Sequence, residues 1–207
     1  MFGELLMVSL FLSGATDPLQ SAVEHYRRVD SYQMKVQTSS GSSTDVMLYS
    51  FKKPGYVRVD FEKPFKGAVL IYDPTQKKAK LWPFGFQRLP VFTLDPDNRM
   101  IKSPSGQRID RSDVGYLFEN AKLLASRGST ERVGTQSIEG QNAIHLVIKG
   151  DGKFSLGEIH QYQLWLDSAT GFPVRVASYN AGGRLLEQVE ISGLLVDPEF
   201  PLGFFDL

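Results

Sequence analysis

The spacing of apolar residues changes from a helical to an extended period near residue 30. Thr16 and Asp17 offer capping side chains, Pro18 suits a first helical turn, and Leu19, Ala22, Val23, Tyr26 and Val29 recur at helical spacing. This predicts an amphipathic helix over residues 17–29. Tyr32, Met34 and Val36 then alternate with polar residues up to a Gly-Ser-Ser turn. In 44–51 both faces carry apolar side chains: Val46 and Leu48 on one, Met47, Tyr49 and Phe51 on the other. In 56–62 the alternation is clean, with Val57, Val59 and Phe61 against Arg58, Asp60 and Glu62. Residues 68–73 and 78–82 read as a hairpin.

Residues 83–111 lose the period but keep Phe84, Phe86, Leu89, Val91, Phe92, Leu94, Met100 and Ile101. A stretch like this is either a lid or binding loop, or it hides one or two strands. Ser112 is positioned to cap a second helix, with Asp113 in its first turn, a stripe of Val114, Leu117, Phe118, Ala121 and Leu124, and Gly128 as its stop. Five more strands follow, over 130–138, 143–149, 158–167, 173–179 and 184–196, separated by glycine-containing turns. Short turns between strands imply antiparallel pairing. Two helices cannot cover both faces of about ten strands, so the sheet is expected to curl into a whole or partial barrel. The prolines at 54, 64 and 74 fit this frame: the first two bracket one strand and the third lies in the next turn.

A chain of 207 residues is long enough for one domain, here expected over 16–207, that needs no disulfide or metal to hold it. Lys plus Arg and Asp plus Glu are both 23, which argues against a nucleic-acid surface. There is no cysteine, so disulfides, thiolate metal sites, a cysteine nucleophile and a lipidated N-terminal cysteine are all excluded. Residues 1–15 carry a short apolar run ending in Ser13, Gly14 and Ala15. This reads as the remnant of an export signal, or as an ordinary apolar terminus, and it is too short to span a bilayer.

Motifs for catalysis are sparse. His25, His145 and His160 match no metal spacing; His145 and His160 lie on expected strands and could converge, or serve the structure alone. Asp95, Asp97 and Asn98 fail the calcium-loop pattern at Arg99, and Gly-Asp-Gly-Lys at 150–153 lacks the flanks of a phosphate loop. No cofactor, metal or catalytic residue is expected. What stands out is apolar strand surface, which either packs against the chain's own helices or encloses an apolar ligand.

From Lys52-Lys53-Pro54, through an alternating strand, Pro64, an apolar strand ending at Tyr72-Asp73, and Leu81-Trp82, the chain resembles the periplasmic lipoprotein-carrier family (LolA-like, with LolB and RseB relatives). The amphipathic first helix and Ser31-Tyr32 fit the same opening, and the likeness covers about residues 17–83. The resemblance implies a mostly β fold: an unclosed, half β-barrel with helices as a lid. It implies a non-enzymatic, soluble periplasmic carrier for lipid or acylated lipoprotein, with a membrane-bound donor or acceptor as a further partner. The alternative within the same group is an RseB-like sensor that binds a lipid signal or a partner peptide. The expected lipid contacts are Val57, Val59, Phe61, Leu70 and Tyr72 on strands, and Leu19, Val23, Tyr26, Leu117 and Phe118 on helices. In the family an arginine of Lys-Arg-Pro helps hold the lid. Here Lys53 takes that place, and lysine lacks the planar two-pronged fork, so a latch of different geometry is expected.

Overall fold

Asp17 starts the first helix by accepting a hydrogen bond from the Leu19 amide at 3.0 Å. Pro18 opens it, and α1 runs Pro18–Arg27 in the computed structural model, which describes residues 17–41, 43–103 and 106–207. The apolar segment 1–15, read as an export signal, lies outside the described residues.

Eleven strands follow: β1 (Ser31–Ser40), β2 (Ser43–Lys52), β3 (Tyr56–Lys63), β4 (Val69–Asp73), β5 (Lys78–Trp82), β6 (Phe92–Leu94), β7 (Gly128–Ile138), β8 (Gln141–Gly150), β9 (Gln161–Asp167), β10 (Pro173–Tyr179) and β11 (Leu185–Val196). They form one antiparallel sheet in the order β6-β5-β4-β3-β2-β1-β11-β10-β9-β8-β7. Every neighbour but one is also a sequence neighbour, as short turns require. The exception is β1 with β11, which pairs Tyr32 with Val196 and Ser39 with Gln188 and so joins the two halves. Among the described residues the outer strands β6 and β7 do not pair with each other. The sheet is therefore an unclosed half-barrel, the partial form that the patterning left open and that the resemblance implied.

The second helix, α2, runs Val114–Ser126, and its cap differs from expectation. Asp113 is extended (φ -78°, ψ 163°) and accepts from the Tyr116 amide, as an N-cap must. Ser112 is already near helical (φ -101°, ψ -3°), so its hydroxyl cannot cap and donates instead to the Ile109 carbonyl. Gly128 does not stop the helix; the cap there is Arg127, and Gly128 opens β7. A Cβ at Gly128 would lie 1.9 Å from the Lys149 carbonyl oxygen, so glycine is required by the close approach of β7 to β8. The aperiodic stretch 83–111 holds β6 and two single 3-10 turns, at Arg99–Ile101 and Ile109–Arg111, which bury Ile101 and Ile109. Both readings of this stretch thus hold in part: it contains one short strand, and the rest is a loop that caps the sheet.

One core lies on the concave side. Met34, Val36, Val59, Leu70, Leu146 and Leu164 from the sheet meet Leu19, Ala22 and Val23 of α1 and Val114, Phe118 and Leu124 of α2. The convex face carries two smaller clusters, one around Val69, Ile71 and Trp82, the other around Ala143, Trp165, Val174 and Ala177. The aromatic tail folds back on the first of these. Arg58 donates to the Phe204 carbonyl at 3.1 Å, and its guanidinium lies 4.3 Å from the Phe204 ring centre and 4.8 Å from that of Phe86.

Candidate functional site

Strand register separates the half-barrel into two unlike ends. At one, Ser31 pairs with Lys52 and Phe51 with Val57; at the other lie the β1–β2 turn after Ser40 and the β3–β4 turn after Lys63. The first end is plugged by aromatic rings. Tyr32 lies 5.1 Å from Phe51, 5.4 Å from Phe172 and 6.3 Å from Tyr26 of α1, and Tyr26 lies 6.0 Å from Phe118 of α2. Edge-on and offset pairs at these separations are favourable ring packing.

Beyond the plug the concave face does not fill. A cavity of about 540 Å³ remains, within the roughly 300–1,000 Å³ of small-molecule sites. Its walls are apolar: Met34 and Val36 of β1, Met47 of β2, Val59 and Phe61 of β3, Leu70 of β4, Leu81 of β5, and Val189 and Ile191 of β11. Its roof is Ile101, Ile109, Val114 and Leu117, from the capping loop and α2. Polar side chains line it at both ends, Ser112 and Asp113 at the start of α2 and two strand pairs toward the turn end. Thr38 pairs with Asp45 across β1 and β2, Ser178 pairs with Glu187 across β10 and β11, and all four line the cavity.

Of the contacts expected from sequence, Val59, Phe61, Leu70 and Leu117 line this cavity. Val57, Tyr72, Leu19, Val23, Tyr26 and Phe118 do not; they belong to the packed core at the plugged end. The reason lies in register. Val57 shares its face with Val59 but sits opposite Phe51 and Tyr72, at the level the helices cover. The alternation gave the face but carried no information on depth. Met34, Val36, Met47, Val189 and Ile191 also line the wall, and the same alternation could have found them.

Three tyrosines hold the start of α2. Tyr26 donates to Asp113 Oδ1 at 2.9 Å, the Val114 amide donates to Tyr32 Oη at 3.0 Å, and the Tyr49 and Ser112 hydroxyls lie 2.9 Å apart. Burial raises the pKa of all three phenols, and the Asp113 carboxylate adds to the rise at Tyr26. Tyr162, another cavity-lining residue, is pushed up to about 12, chiefly by burial.

Lys53 acts elsewhere. Its ammonium donates to the carbonyl of Arg27, the last residue of α1, at 2.8 Å, and lies 3.8 Å from Asp30 Oδ1. A cation at a helix C-terminus satisfies a carbonyl that has no helical partner. Lys53→Met should lower stability by about 0.5 to 1 kcal/mol, since the pair is partly exposed, and a urea midpoint measures it.

The histidines do not converge. His145 stacks on Trp165 at 4.2 Å on the convex face, His160 Nδ1 lies 2.8 Å from the Phe154 carbonyl, and His25 is exposed. Among the described residues no group of three or more His, Asp or Glu could hold a metal ion, and no helix is long and apolar enough to cross a membrane.

The sequence matches the family model of the MucB/RseB N-terminal domain over residues 117–203. A search of curated protein sequences gives no significant match. Several solved structures share the fold. An uncharacterised conserved protein of Thermus thermophilus superposes with a TM-score of 0.58 at 11% identity, over 92% of this chain and 94% of its own. MucB in complex with MucA(peri), a pair from Pseudomonas aeruginosa, gives 0.51 at 19% identity, over 93% of this chain and 59% of the MucB chain. The lipoprotein LppX of Mycobacterium tuberculosis gives 0.50 at 10% identity, over 88% and 95%. This chain thus spans about three fifths of the MucB chain it resembles. At identities of 10–19% these likenesses show a shared fold, a curved antiparallel sheet with helices on its concave side.

Proposed function

We propose that this protein is a non-enzymatic carrier that holds lipid, or the acyl chains of lipoproteins, in its half-barrel cavity and works in the periplasm. The observation that carries this reading is the cavity of about 540 Å³ with an apolar wall and a roof of loop and helix. An apolar wall of that extent suits an acyl chain. Burying a 16-carbon chain at about 0.8 kcal/mol per methylene gives about 12 kcal/mol before the costs of association. Val59, Phe61, Leu70 and Leu117 are the proposed chain contacts. Lys53 is the proposed latch, acting on α1. The test is native mass spectrometry with solvent extraction of protein purified from its host. Co-purifying acylated species are expected. Protein that carries none and also fails to bind a fluorescent fatty acid would overturn the reading.

A second reading is favoured by one observation, the match of residues 117–203 to the MucB/RseB N-terminal model. MucB forms a complex with MucA(peri), and the same fold here would then serve as an interaction module for a partner peptide. A chain that binds a partner peptide while leaving a fluorescent fatty acid untouched would favour this reading over the carrier.

A further inference from the structure

Three segments meet on one side of the cavity: the β3–β4 turn, the start of the β5–β6 loop, and the loop around the first 3-10 turn. Phe65, Pro83, Met100 and Lys102 from these segments all line the same cavity, and the Gly67 carbonyl lies against Gly85. This rim exposes large apolar side chains, with Phe65 66%, Phe84 66%, Leu89 82% and Met100 62% accessible. Lone exposed apolar residues are ordinary, but a set gathered at a cavity mouth marks a contact surface.

Charge identifies what the surface contacts. Residues 63–67, 83–91 and 98–103 hold five Lys and Arg and no Asp or Glu, in a chain with 23 of each sign. The five are Lys63, Lys66, Arg88, Arg99 and Lys102, and among the described residues none is in an ion pair. Of the neighbouring acids, Glu62 and Asp95 are paired with Lys35 and Lys78, while Asp97 is exposed beside Arg99 and leaves the rim with a net excess of four cations. Basic residues interleaved with exposed aromatic and aliphatic ones suit the interface of an anionic bilayer, where the cations meet headgroups and the apolar tips enter the acyl boundary.

We infer that this rim docks on an anionic membrane surface and sets the cavity mouth against the bilayer. The inference goes beyond the carrier reading, because the docking residues Lys63, Lys66, Phe84 and Leu89 lie outside the cavity wall.

The test is flotation of the full chain with vesicles of phosphatidylcholine containing 30% phosphatidylglycerol, against vesicles of phosphatidylcholine alone. The protein is expected to float with the anionic vesicles, weakly with the neutral ones, and to be released by 0.5 M salt as the charges are screened. Lys63→Gln/Lys66→Gln should lower affinity roughly 25-fold, about fivefold per cation. Phe84→Ser/Leu89→Ser should weaken flotation with the anionic vesicles at low salt, where the apolar tips add to the charge attraction. Both double variants should still bind a fluorescent fatty acid in vesicle-free solution, which separates a failure of docking from a failure of the cavity. Absence of flotation with anionic vesicles would overturn the inference and leave the basic rim to an acidic protein partner. Flotation unaffected by both double variants would overturn it as well.

Discussion

Met47→Trp is expected to weaken binding of a long-chain fatty acid about a hundredfold while the protein stays folded. Met47 lies on the concave face of β2, half-buried, opposite Val36 and Phe61, at the border where the core gives way to the cavity it lines. An indole there has space to enter, so it displaces ligand instead of neighbours. Three to four displaced methylenes at about 0.8 kcal/mol each account for about 3 kcal/mol, or roughly two orders of magnitude in affinity. Val57→Trp is the contrast. Val57 is 2% exposed and sits at the plugged end, where added volume meets Phe51 and Tyr72. Overpacking there should cost about 1–3 kcal/mol of stability. Fluorescent fatty-acid titration and thermal melts of the two variants give opposite patterns if the cavity is the site. Normal ligand affinity in a folded Met47→Trp protein would sink the assignment.

The same two residues show how much was legible in the sequence. Strand pleating repeats every two residues, so the alternation in 56–62 fixes that Val57, Val59 and Phe61 share a face. It says nothing about depth. Depth depends on where α1 and α2 cross the sheet, and that is set by contacts distant in sequence, such as Tyr26 with Asp113 and Tyr32 with Val114. The cap of α2 was missed by one residue because Ser112 and Asp113 are both good capping types. The choice between them follows from backbone angles that the preceding 3-10 turn imposes on Ser112. Lys53 was singled out by resemblance, but its contact with α1 was not legible, because the Arg27 carbonyl carries no sequence signal. The basic rim was hidden for another reason. Its cations are dispersed over three segments, and a neutral total charge conceals a local excess.

Alkaline pH should unfold this protein cooperatively near pH 11. Tyr32, Tyr49 and Tyr162 are at most 5% exposed, and burial raises all three pKa values, that of Tyr162 to about 12. A phenol with a folded pKa above its unfolded value holds its proton more tightly in the folded protein. Its contribution to stability is complete below the unfolded value near 10, and is lost as pH rises from there toward the folded value. Each such tyrosine therefore costs about 1.4 kcal/mol per pH unit above 10, and three together about 4 kcal/mol at pH 11. Tyr26, less deeply buried and hydrogen-bonded to Asp113, adds a smaller share of the same sign. A loss of this size consumes much of the stability typical of a domain, roughly 5–15 kcal/mol. The three hydroxyls of Tyr26, Tyr32 and Tyr49 also hold the first turn of α2, so the roof of the cavity should leave with them. Circular dichroism, tyrosinate absorbance and release of a bound fluorescent fatty acid, followed together against pH, should share one transition. Tyr162→Phe, which removes one ionisable group from a buried site, should move that transition to higher pH. Tyrosinate absorbance that rose smoothly around pH 10 with the fold and the ligand retained would show that these phenols are open to solvent and not the fastening of the roof.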